Sequence, residues 1–121
     1  MATIKSYTDI GQSRKLAKIL PLESADMHYS KDFDGSWFVD LSEYTSVKIP
    51  KYVGNVEEHL LPCWSLAALL SVLPEIQGSK ADISLGYNSI SYIHMSLYTK
   101  ADNLVDTCYY LILTLHELKL L

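Results

Sequence analysis

The chain has 121 residues, 49% of them hydrophobic and 20% charged, a balance that excludes a disordered or fibrous protein and predicts a single domain over residues 1–121. Its net charge of −4 argues against nucleic acid as a partner. No apolar run approaches the roughly 18 residues of a membrane span and the N-terminus has no signal-peptide pattern, so we expect a cytoplasmic protein with no membrane contact.

The first predicted helix lies in the segment TDIGQSRKLAKILP. Thr8 is its candidate N-cap, and Pro21 ends it because proline cannot continue a helix. Its apolar stripe consists of Ile10, Leu16, Ala17, Ile19 and Leu20. Arg14, Lys15 and Lys18 lie on the outer face, which is either an ordinary solvated surface or, alternatively, a nucleic-acid contact.

The next part of the chain has the two-residue period of strands. A short strand is indicated over residues 25–29, before a polar loop. Alternation is clearest over residues 37–41 and returns around residues 47–49. The simplest interpretation is a first hairpin whose loop covers residues 42–46.

The most hydrophobic run, LLPCWSLAALLSVLP, contains a proline near each end. Pro62 suits the first position of a helix, where the missing N–H is not needed, and Pro74 suits the residue after its end. The sequence therefore predicts a short, nearly buried central helix that begins at Pro62 and has Cys63 in its first turn.

Residues 82–98 alternate again and predict a second hairpin that turns near Asn88 and Ser89. The number of loop residues decides which side chains of the two strands share a face. One residue more or less in the loop moves every side chain of the second strand to the opposite face. We favour an odd-length loop, which collects the aliphatic side chains. One face then carries Ile83, Leu85, Tyr87, Ile93, Met95 and Leu97, and the other carries Tyr92, His94 and Tyr98. An even-length loop would place Ile83, Leu85 and Tyr87 with Tyr92 and His94 instead.

Residues 99–121 predict one long amphipathic helix that runs to the last residue. Thr99 followed by Asp102 has the spacing of a capping box, and apolar residues recur every three or four positions. This stripe predicts packing on the second hairpin and the central helix. The fold class is therefore α+β, with two hairpins and three helices in the order α-β-β-α-β-β-α.

Cys63 is the candidate catalytic residue, because the dipole at a helix N-terminus favours a thiolate. Cys63 followed by Trp64, with His94 on a later strand, locally resembles papain-like cysteine peptidases and implies a small cysteine-dependent hydrolase. Leu61 and Pro62 depart from that family, which has Gly and Ser before the nucleophile. No upstream glutamine stands in an oxyanion-hole motif, and the spacing from cysteine to histidine is far shorter. The alternative is a packed cysteine in an apolar helix.

A metal site would require the histidines to cluster with Cys63. The histidines are His28, His59, His94 and His116. His59 and Cys63 are four residues apart, but Pro62 interrupts any helix that would align them. No phosphate loop, nucleophile elbow or dinucleotide fingerprint occurs. We therefore predict no metal and no cofactor.

Tyrosine is the remaining unusual feature, with nine residues in the chain. Tyrosine is favoured at interfaces because it buries a large area and keeps a polar group. We predict that the partner is another protein or a second copy of the chain. The candidate contact residues are Tyr29, Tyr44, Tyr52, Tyr92 and Tyr98.

A resemblance to a known family is carried by three segments, TDIGQSRKLAKILPLESADMHY, PCWSLAALLSVLP and ADNLVDTCYYLILTLHELKLL. Together they look like a family of small uncharacterised Bacteroidales phage and mobile-element proteins. The family brings no known activity, so no functional residue is carried over. The resemblance implies an accessory protein, and the leading hypothesis is a non-enzymatic cytoplasmic interaction module.

Overall fold

The computed structural model of the chain describes residues 5–31, 34–41 and 60–121. These residues form three α-helices and two three-stranded antiparallel sheets, which confirms the predicted α+β class. The chain divides into an N-terminal unit, Tyr7–Ala68, and a C-terminal unit, Met1–Ser6 with Leu69–Leu121. Within the described residues, no helix is long and apolar enough to pass through a bilayer.

The helices and strands follow one another in chain order. They are α1 (Ile10–Leu16), β1 (Met27–Lys31), β2 (Trp37–Leu41), β3 (Leu60–Cys63), α2 (Leu66–Val72), β4 (Asp82–Ser84), β5 (Ser89–Tyr92), β6 (Leu97–Lys100) and α3 (Leu104–Glu117). Single 3-10 turns occur at Leu22–Ser24, Leu85–Tyr87 and Ile93–Met95.

The sheet of the N-terminal unit has the strand order β2-β1-β3. Tyr29 on β1 lies opposite Val39 on β2 and Leu61 on β3, so the three side chains share one face. This face and α1 enclose the core of the unit. The core contains Tyr29, Leu61 and Cys63, with Ile10, Met27, Trp37 and Val39 packed against them.

Strand β2 confirms the alternation seen in the sequence, and its described partner is the preceding strand, β1. The short strand expected near residues 25–29 thus forms a hairpin with β2. The other predicted partner, around Val47 and Ile49, lies outside the described residues.

Helix α1 is capped by Asp9 and not by Thr8 as predicted. The Asp9 carboxylate accepts the N–H of Gln12 at 2.8 Å, and the Gln12 side chain accepts the N–H of Asp9 at 3.1 Å. This reciprocal pair is a capping box. The cap moves by one residue because Thr8 bonds to the sheet.

The prediction of a helix starting at Pro62 is wrong, since Pro62 and Cys63 belong to strand β3. Proline is tolerated there because β3 is an edge strand, where the missing N–H can face away from the ladder. Helix α2 begins at Leu66, after Ser65. The Ser65 hydroxyl accepts the N–H of Ala68 at 3.2 Å, as an N-cap does. Both the hydroxyl and the N–H of Ser65 donate to Asp26.

The sheet of the C-terminal unit has the order β4-β5-β6, so the predicted second hairpin is in fact two hairpins in succession. Ser84 lies opposite Ser89, so the first loop contains four residues, 85–88. The favoured odd-length loop is therefore wrong. Each loop is a 3-10 turn closed by one left-handed residue, Asn88 with φ 50° or Ser96 with φ 53°. Three residues of the turn and one left-handed residue make four, so each loop has an even number of residues.

Helix α3 packs on β5 and β6, as its apolar stripe predicted. Its buried residues are Leu104, Val105, Thr107, Cys108, Leu111, Ile112 and Leu115. The predicted cap is wrong, because Thr99 lies in β6 and the N-cap is Asn103, whose side chain accepts the N–H of Asp106 at 2.8 Å. The helix ends at Glu117 and does not reach residue 121.

The first turn of α3 is bonded to the β4–β5 loop. The Asn88 side chain donates to the carbonyl oxygen of Asp102 at 3.1 Å, and the Thr107 hydroxyl donates to that of Asn88 at 2.6 Å. Asp106 also accepts from Lys5 at 2.8 Å. The helix start is thus positioned by side chains that are far apart in sequence.

We expect Asn103→Ala to lower the free energy of unfolding by about 1 kcal/mol, because the Asp106 N–H loses its acceptor. Urea denaturation measures this loss, and hydrogen exchange at the Asp106 amide should accelerate. Thr99→Ala is the control, since Thr99 lies in β6. If Thr99→Ala accelerated exchange at Asp106 and Asn103→Ala did not, the helix cap would lie at Thr99.

Candidate functional site

Cys63 lies at the end of strand β3 and not at a helix N-terminus. Its side chain is 0% exposed and touches no solvent. The prediction that a helix dipole favours the Cys63 thiolate is therefore wrong, because no helix begins at Cys63.

The surroundings of Cys63 are a hydrogen-bond network centred on Thr8. The Tyr29 hydroxyl donates to the Thr8 carbonyl oxygen at 2.7 Å, and the Cys63 thiol donates to the same oxygen at 3.5 Å. The Thr8 hydroxyl accepts the N–H of Trp64 at 3.2 Å and lies 2.8 Å from the Ser13 hydroxyl. The Thr8 N–H donates to the Trp64 carbonyl oxygen at 3.0 Å. This network ties α1, β1 and β3 together.

Burial keeps the thiol and the phenol of this network protonated. Burial raises the pKa of the Cys63 thiol, and hydrogen bonds with Thr8 and Ser13 lower it by less. Burial also raises the pKa of the Tyr29 hydroxyl. A thiol must ionise and meet its substrate to act as a nucleophile. The arrangement around Cys63 opposes both requirements.

His94, the predicted partner of Cys63, lies in the 3-10 turn Ile93–Met95 of the C-terminal unit. Its side chain is outside the described part of the structure. Cys63 belongs to the N-terminal unit.

The other histidines are dispersed along the chain. His28 is buried on β1, His116 is exposed on α3, and His59 lies outside the described residues. In the part of the chain that the structure describes, no group of three or more His, Cys, Asp or Glu residues could hold a metal ion.

The candidate tyrosines fall into three groups. Tyr29 and Tyr92 are buried, and their hydroxyls donate to the carbonyl oxygens of Thr8 and Pro74, the latter at 2.6 Å. Tyr44 and Tyr52 lie outside the described residues. Tyr98 is 61% exposed. Of the five candidates, Tyr98 is the one whose described side chain can reach a partner.

Tyr92 and Tyr98 do not share a face, contrary to the sequence-based expectation. Tyr92 lies opposite Leu97, and Tyr98 lies opposite Ser91, so the second loop again has an even length. Tyr92 therefore points with Ile90 toward the core, while Tyr98 points outward.

The outward side of this sheet forms what we call the tyrosine face. Its strand residues are Asp82, Ser84, Ser91, Tyr98 and Lys100, as the register requires; Ser89 has the same register but is buried. Tyr87, from the β4–β5 loop, is 68% exposed, and its ring centroid lies 5.9 Å from the Lys100 ammonium. Lys100 is two residues from Tyr98 on β6, so the two side chains lie on the same face of the sheet.

Two exposed aliphatic side chains lie in the two loops of the sheet. Leu85 is 75% exposed in the β4–β5 loop, and Ile93 is 70% exposed in the β5–β6 loop. Sequence reasoning placed both on an apolar face of a continuous hairpin. They are exposed because each lies in a reversal of the chain, which the alternating pattern does not reveal.

A cleft of about 300 Å³ lies beside β4 in the C-terminal unit. Its lining residues are Leu70, Leu73, Pro74, Glu75, Lys80, Ala81 and Ile83. Between Glu75 and Lys80 the chain makes a tight turn, in which Ile76 and Ser79 exchange two backbone hydrogen bonds around Gln77 and Gly78. The volume is at the lower end for small-molecule pockets, which measure about 300 to 1,000 Å³.

No protein-family model matches this chain, and no match was found among the curated proteins or the solved structures. A functional proposal therefore depends on the geometry of the side chains.

We expect Cys63 in the native protein to react with iodoacetamide roughly 100-fold more slowly than in denaturant, because its thiol is buried and protonated. Mass spectrometry of the labelled peptides over time measures the labelling rate of each cysteine separately. Cys108, which is buried in α3, is the internal control. Native labelling of Cys63 at the denatured rate would revive the hydrolase hypothesis.

Burial raises the pKa of Cys108 from its ordinary value of 9.0 to about 12. Below pH 9 the folded and unfolded chains both hold the proton, so the thiol contributes its full stabilisation. Above pH 9 the unfolded chain ionises first, and the free energy of unfolding falls by about 1.4 kcal/mol per pH unit. Between pH 8 and 10.5 the wild type should therefore lose about 2 kcal/mol more than Cys108→Ala. Parallel pH profiles of the two proteins in urea denaturation would contradict this.

Proposed function

We propose that this chain is a non-enzymatic interaction module that binds a protein partner, or a second copy of itself, through the tyrosine face. The observation that carries the proposal is the exposure of Tyr87, whose ring contacts Lys100, and of Tyr98, which lies on the same face as Lys100. Large aromatic side chains that remain exposed on a rigid sheet are typical of contact surfaces.

The composition of the tyrosine face supports this proposal. Tyrosine contributes a large contact area at a low cost in conformational entropy, and serine contributes small, adaptable hydrogen-bonding groups. Lys100 limits the movement of the Tyr87 ring through a cation–π contact, worth about 0.5 to 1 kcal/mol at an exposed site. The surface is therefore partly ordered before a partner arrives, which lowers the entropy cost of binding.

An energy estimate defines the extent of the interface. Burying the exposed parts of Tyr87 and Tyr98 would remove roughly 250 Å² of surface, worth about 6 kcal/mol at 25 cal/mol per Å². Association costs about 4 to 15 kcal/mol in lost freedom of motion. The two rings alone therefore do not make a stable complex. The interface must extend to a neighbouring apolar group, and Leu85 and Ile93 are the nearest candidates in the loops.

The alternative, a small cysteine-dependent hydrolase using Cys63 and His94, has less support. The burial of Cys63 and its raised pKa favour a structural thiol. A cytoplasmic location and an accessory role in a phage or mobile element stay predictions from the sequence.

We expect the double variant Tyr87→Ser, Tyr98→Thr to weaken binding at least about tenfold, because it removes both rings. Threonine keeps the strand propensity at position 98. Sedimentation velocity measures self-association, and quantitative affinity capture from the source cells measures binding of a partner. Tyr110→Gln, an exposed tyrosine on α3, is the matched control and should leave binding unchanged.

Two results would contradict the proposal. One is a wild-type protein that stays monomeric and captures nothing. The other is a double variant that binds as tightly as Tyr110→Gln.

A further inference from the structure

A second surface, in the N-terminal unit, gathers positive charge around Trp37. The Arg14 guanidinium carbon lies 5.9 Å from the centroid of the Trp37 ring, and the Lys31 ammonium lies 5.6 Å from it. Arg14 comes from α1, Lys31 from β1 and Trp37 from β2. Both cations are exposed, while the ring is half-buried.

The positive charge of this cluster is not neutralised within the described residues. There, neither Arg14 nor Lys31 forms an ion pair, and the indole N–H of Trp37 has no acceptor. The nearby carboxylates bond elsewhere: Asp9 caps α1, and Asp34 accepts the N–H of Ser36 at 2.9 Å within the β1–β2 turn.

Like charges held near one ring repel each other. An anion placed beside Trp37 would be attracted by both cations and would offset that repulsion. Arg14 offers a planar pair of donors, Lys31 a point charge and Trp37 an indole N–H, and these donors match the oxygens of an oxyanion.

We propose that Arg14, Lys31 and Trp37 form a binding site for the carboxylates of an acidic segment of a partner protein. This inference rests on the proposed function as an interaction module, but it uses different residues. The net charge of −4 favours a short acidic segment over a polyanion, because a long nucleic acid would be repelled by the molecule as a whole. A few carboxylates feel mainly the charges within about 10 Å at 0.1 M ionic strength.

The probe for this site is hexaglutamate. Its binding is followed at low ionic strength through the indole N–H resonance of Trp37 in ¹⁵N-correlated spectra, assigned by the loss of that signal in Trp37→Phe. We expect a saturable shift. Arg14→Gln and Lys31→Gln should each weaken binding about fivefold to tenfold, and added salt should weaken it further because the charges are exposed.

Lys18→Gln is the matched control, since it also removes one exposed positive charge. Lys18 comes shortly after α1, and among the described residues it makes no contact with the Trp37 ring. It should change the affinity by less than about twofold. An effect equal to that of Arg14→Gln would mean that hexaglutamate senses only the general charge, and would overturn the site. The absence of a saturable shift would overturn it as well.

Further arms of the experiment test the class of ligand and separate this inference from the proposed function. Tighter binding of inorganic phosphate or oligothymidylate than of hexaglutamate would overturn the assignment to carboxylates. The Tyr87→Ser, Tyr98→Thr variant should bind hexaglutamate as the wild type does. If hexaglutamate fails while the tyrosine face still binds its partner, this inference falls and the proposed function stands.

Discussion

The buried Thr8 is the residue on which the N-terminal unit most depends. Its backbone and hydroxyl together bond to Tyr29, Trp64, Ser13 and Cys63, which lie on three segments of the unit: β1, α1, and the end of β3 with the residue after it. A buried polar group that loses its partner costs about 1 to 3 kcal/mol, so these bonds determine where α1 meets the sheet. The state of Cys63 has a different cause, because burial in the same interior raises the pKa of its thiol by more than the hydrogen bonds with Thr8 and Ser13 lower it.

The C-terminal unit fixes its helix by the same physical means. Asn103 caps α3, while Asn88 and Thr107 bond the β4–β5 loop to the first turn. In both units the apolar face of a helix supplies most of the attraction, which has no direction, and buried hydrogen bonds set the position. The packing of the helix also decides which side chains are exposed. Because α3 covers the face that carries Ile90 and Tyr92, Tyr98 and Lys100 lie on the opposite face of the sheet.

The sequence predicted the parts of the structure that depend on periodicity. The α+β class, the strand β2 and the amphipathic helix α3 were recovered because each has a regular apolar pattern. The central helix was misplaced because Pro62 fits both a helix start and an edge strand, and only the pairing with β1 decides between them. Of the residues on the tyrosine face, Tyr98 was already a candidate from the sequence, and its role in binding stays a prediction. Tyr87 beside Lys100, and Arg14 beside Trp37, were missed, since neighbours that are far apart in sequence leave no local pattern.

In the C-terminal sheet, the number of residues in each of the two four-residue loops decides on which face the side chains of the next strand lie. Inserting or deleting one residue at Asn88 or Ser96 would exchange the inward and outward sets of the strand that follows. Natural variation in these loops should therefore occur in steps of two residues, or be accompanied by a bulge that restores the phase. Chemical variety can accumulate on the outward positions of the strands, while the lengths of the loops stay constant.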